Sequence, residues 1–329
     1  MADEDRDPVM TAYFAGHDAS DAQVEEWKTR VEANPKDMVA RAGWIAWAMA
    51  HRQHGQPPEA ALHEELIWLV RHHPGSELAG MTASHCGMPR DWVEVEPLRA
   101  AWLDAVREHP DDAEVLGHAA QYFLFQDPDQ TLALLERARD LQPKNALREL
   151  VLSQHWSFRA RFVRVPDPHA GARALAHAER AVELEGEEAI GDSMRVNRLQ
   201  CTVTADRWDL AERYAKEMLE WIERQPAWVR SGDSAYHTHR ILGHVALRCG
   251  DVEAARSHLL RCCSGGSSPV LGSFGPDFSL AQELLDRGER ETVLEFLEQC
   301  RTIWTHHTST VDRLVQEIRS GASCRLSRN

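Results

Sequence analysis

Along most of this chain apolar residues recur at three- and four-residue steps, the period of a helix with one buried face. Val-Ile-Thr alternation of the strand type is nearly absent. Ser20 reads as an N-cap, with Gln23 three positions on, and its helix runs to Ala33 before Asn34-Pro35 stops it. Residues 37–53 and 59–73 form the next pair, turned by Gly55-Gln56-Pro57 and ended by Pro74-Gly75. A pair over 76–109 is interrupted in its first half by Gly80, Gly87 and Pro89. Residues 111–126 and 128–141 give a regular pair, and the pair over 145–185 carries the insertion Arg164-Val165-Pro166-Asp167-Pro168. Two more pairs span 187–225 and 233–263. A Gly/Ser-rich stretch, Ser264–Gly275, precedes a last pair over 277–305 and a final helix over about 306–319. Residues 320–329 read as a frayed tail. Residues 1–20 read as an acidic segment, with a weak helix around Tyr13-Phe14.

Proline punctuates the first half of this pattern. Pro35, Pro74, Pro110 and Pro143 each follow an amphipathic stretch, at spacings of 39, 36 and 33 residues. Self-similarity at that period marks stacked helical hairpins. The expected fold is therefore all-α, with about seven antiparallel hairpins over residues 21–319. Such an array escapes the size limit of a single core, because each repeat packs only on its neighbours.

Composition narrows the function. Apolar residues make up 43% of the chain, which excludes a disordered one. The formal net charge of −15 repels phosphates and anionic lipids, so neither nucleic acid nor a membrane surface is an expected partner. No apolar run approaches the roughly 20 residues that span a bilayer, and no secretory leader is visible. Seven cysteines, an odd number with no C-x-x-C pair, point to reduced thiols and a cytoplasmic location.

The small residues carry a resemblance. In 237–263, Leu242-Gly243, the turn at Gly250, and Ala255, Leu259 and Cys262 are similar to the tetratricopeptide repeat. Ala119, Tyr122, Thr131, Leu135, Ala138 and Pro143 keep the same frame, as do Leu280, Ala281, Gly288, Val293, Leu297 and Cys300. Ala174, Ala178 and Ala181 keep the second-helix pattern. Helices approach closely only where side chains are small, and larger ones fill the grooves between pairs. Val115 and His239 stand where the family has tryptophan. The stretch 272–278 and the helices after it resemble the C-terminal part of uncharacterised bacterial tetratricopeptide proteins. The resemblance implies a right-handed superhelical solenoid whose first helices line a concave groove.

That frame nominates a surface. His237, Arg240, His244, Leu247 and Arg248 fall on one stripe of a first helix, at i, i+3, i+7, i+10 and i+11. Two Arg and two His suit an anionic ligand such as a carboxylate. The competing interpretation is a solvated face whose charges offset nearby acids. Phe123 and Leu124 are candidates for apolar groove contacts. The carboxylate clamp of chaperone-binding members needs Lys and Asn on successive first helices, and residues 112–126 have neither.

Signatures of chemistry are sparse. There is no H-E-x-x-H, no G-x-S-x-G and no phosphate loop, since no Gly-Lys-Ser/Thr follows the glycines of 264–275. The eighteen His are scattered, so no metal and no cofactor is expected. The eleven Trp read mainly as packing between hairpins. The function read from the sequence is a non-catalytic adaptor holding a protein or peptide segment, an acidic one, along its concave face. Two alternatives stay open: an enzyme or small-molecule sensor with a pocket under the 264–275 loop, and a self-association module.

Overall fold

The computed structural model describes residues 7–51, 59–86, 95–162, 167–226, 231–321 and 325–326. Among them are eighteen α-helices and no strand, as the helical period predicts. The Gly55-Gln56-Pro57 turn, the breaks at Gly87 and Pro89, and Arg164 to Pro166 of the insertion lie outside the described residues. The chain divides into two compact units, Met1–Arg148 and Glu149–Asn329.

The first unit holds α1 (Pro8–Gly16), α2 (Asp21–Ala33), α3 (Met38–His51), α4 (Glu59–His72), α5 (Glu77–Cys86), α6 (Val95–Glu108), α7 (Ala113–Phe123) and α8 (Pro128–Leu141). Side-chain caps start several of these helices where the sequence places them. Ser20 accepts from the Gln23 amide at 3.4 Å, and Asp127, ahead of Pro128, accepts from the Gln130 amide at 3.0 Å. Helix α1 is more than the weak helix expected of an acidic segment. Its Met10 and Tyr13 are buried and it packs on α3, which α2 also covers. Elsewhere α4 meets α6, α5 meets α7, and α7 packs on α8.

Helix α9 (Ala146–Phe162) leads into the second unit. Next come α10 (Ala170–Glu185), α11 (Asp192–Thr204), α12 (Trp208–Arg224), α13 (Gly232–Arg248) and α14 (Val252–Arg261), then α15 (Pro269–Phe274), α16 (Ser279–Asp286), α17 (Arg290–Ile303) and α18 (Thr308–Ser320). Each of α10 to α13 packs on the next, α11 also reaches α13, and α14 reaches α16 and α17. The small residues that carry the resemblance are interior here: Ala174, Ala178, Ala181, Ala255, Cys262, Ala281 and Cys300 are all buried. At Gly243 the approach is close enough that an added Cβ would overlap the Leu280 side chain. Gly250 turns α13 into α14 with φ +78°, a conformation other residues rarely take.

Two segments differ from their sequence reading. Ser264–Gly275 is not a bare connector. A 3₁₀ turn, Cys262–Gly265, is followed by α15, capped by Ser268 and anchored by buried Leu271. Ser267 Oγ donates to the Ile303 carbonyl at 2.9 Å, which ties the segment to the end of α17. In the tail, Leu326 is buried, and its amide donates to Gln282 Oε1 at 2.7 Å. A single apolar side chain with a partner for its amide is enough to hold residues 325–326 on α16.

Candidate binding face

Helix α13 begins where Ser231 caps it, accepting from the Asp233 amide at 3.1 Å. Its seventeen residues carry the whole predicted stripe, yet the five side chains do not share one environment. Arg240 is only 5% exposed; its Nη1 lies 3.3 Å from Asp277 Oδ2 and donates to Ser279 Oγ at 3.3 Å. His244 is 8% exposed, between Glu283 Oε2 at 3.0 Å from Nδ1 and Ser279 Oγ at 3.0 Å from Nε2. Both therefore reach toward α16 and the segment before it. His237 is half-buried beside Tyr236. Arg248 is exposed and stacks its guanidinium 3.7 Å above the ring of Trp208, at the start of α12.

Leu247 is an interior residue of the second unit, among Ala255, Leu259 and Leu284. Phe123 is fully buried in the first unit, edge-to-face with Tyr122 at 5.2 Å. Neither offers an open apolar contact, because the apolar side of each helix is spent on packing against its neighbours. Leu124, half-buried, sits at the C-cap of α7. It lies in a different unit from the α13 stripe.

Electrostatics sharpen the picture at His244. Burial, then the charge of Arg240, pushes its pKa below the ordinary imidazole value, while Glu283 opposes the shift. His244 is thus held neutral, donating from one ring nitrogen and accepting at the other. An acid-triggered gain of charge on the stripe is not what this geometry favours. Tyr236 fixes the segment opposite: its hydroxyl, kept protonated by burial, donates to the Asp277 carbonyl at 2.7 Å.

The polar face extends beyond α13 to residues that the stripe did not include. On α9, Ser153 Oγ accepts from Asn197 of α11 at 2.8 Å, and the thiol of Cys201 lies 3.2 Å and 3.3 Å from the hydroxyls of Ser153 and Ser157. One helical turn on, Arg161 Nη2 donates to Thr204 Oγ1 at 3.2 Å. Asp192 accepts from Ser234, linking α11 to α13. The signal was present in the sequence. Ser153, Ser157 and Arg161 recur at four-residue steps, and Asn197, Cys201 and Thr204 at steps of four and three. With two hydroxyls against the buried Cys201 thiol, the seam is half polar.

Other polar clusters have local explanations. His51 and His72, near helix C-termini, contact the carbonyls of Trp47 and Trp68 at 2.9 Å and 2.8 Å and stack on those rings. His239 and His258 meet through their Nδ1 atoms at 3.2 Å. Among the described residues no group of three or more His, Cys, Asp or Glu converges in a way that could hold a metal ion. A cleft between α11 and α12, lined by Glu187, Glu188, Glu217, Glu220, Arg195 and Trp221, is crossed by its own ion pairs, Arg195 to Glu187 and Arg198 to Glu217. No helix among the described residues is long and apolar enough to cross a membrane. Comparison with models of known protein families gives no match, and comparison with curated proteins also gives none.

Proposed function

We propose that this chain is a helical-repeat scaffold, similar in plan to tetratricopeptide arrays, that holds an extended segment of a partner protein along the inner helices of its second unit. The observation that carries this reading is the pattern of side-chain bonds between alternate helices. Ser153 and Asn197 join α9 to α11, Asp192 and Ser234 join α11 to α13, and Arg240 joins α13 to Asp277 and Ser279 at the start of α16. The first two bonds skip one helix and the third skips α14 with the short α15, a pattern that a stack of hairpins produces when its first helices line a common face. The intervening α10, α12 and α14, with the short α15, belong to the other face in this reading. On the first face the half-buried Asn197 and the exposed Ser279 offer an amide and a hydroxyl that suit the backbone of a peptide, while Ser153, Ser234 and Arg240 are buried in the bonds between helices.

Site-resolved photo-crosslinking tests this. A benzophenone residue at Ser279, exposed on the proposed inner face, should yield crosslinks to a defined partner segment. The same group at Lys216, exposed on α12, should not. Equal yields from both positions would overturn the assignment of the binding face.

A further inference from the structure

We draw no further inference here: the strongest candidate, the surface patch of exposed Val270 and Phe274 on the six-residue helix α15, carries nothing because no feature of the structure shows what covers it.

Discussion

Polar side chains taken out of water need partners, and in the pair His239–His258 the partner of each base is another base. The two imidazoles share one contact at 3.2 Å and are flanked by Arg261, with Asp251 acting on His258. Burial, then His258, then Arg261 lowers the His239 pKa to about 4, and His258 is lowered too, by burial first. The folded state therefore disfavours a proton that the unfolded chain accepts near pH 6.5. The stability this contributes is complete above pH 6.5 and is lost as pH falls toward about 4. Its upper limit for His239 is on the order of 3 kcal/mol. Urea unfolding at pH 7 and pH 5 should show the parent losing stability, while His239→Leu should lose markedly less over the same interval. An equal loss in both proteins would remove His239 from the explanation. Legibility at this scale was uneven. That Arg240 and His244 are polar and on one helix face is plain in the sequence, but whether such a face is wet or packed depends on the next repeat. Ser279 and Glu283, some 35 to 39 residues on, decide it.

Helices in this chain are short, and their ends carry a large share of the information. Asp251 accepts from the Ala254 amide at 2.9 Å and starts α14, which has only ten residues. Asp251→Ala should cost about 1 kcal/mol, the usual worth of such a cap, measurable as a shift of the denaturant midpoint with an unchanged slope. A larger effect is expected where α13 meets α16. Gly243→Ala puts a methyl group against buried Leu280, and overpacking of this kind costs about 1–3 kcal/mol. A midpoint equal to the parent's would mean that the two helices can part without penalty. The caps also explain why most helices were readable. Ser20 with Gln23, and Asp127 with Pro128, state their boundaries locally. Helix α15 was readable by the same rule, through Ser268-Pro269 and Gly275, but six residues are too few for an amphipathic period. The Gly and Ser content around it therefore read as a loop. Leu326 had no local signal at all, because one buried residue in a tail makes no pattern.

At the scale of the molecule the net charge acts on a charged partner before contact is made. The chain as a whole carries −15 and repels an acidic segment from a distance. The Debye length is about 30 Å at 0.01 M and about 10 Å at 0.1 M, so raising salt over that interval screens the repulsion. The yield of crosslinks from Ser279 to an acidic segment should therefore rise between those two concentrations, while the yield to a basic segment should fall. An acidic-segment yield that falls steadily from the lowest salt would mean that positive charge near the binding face outweighs the net charge. The net charge is a property of the composition and was legible from the outset, whereas the helices that share a face appear only when α9, α11 and α13 are brought side by side.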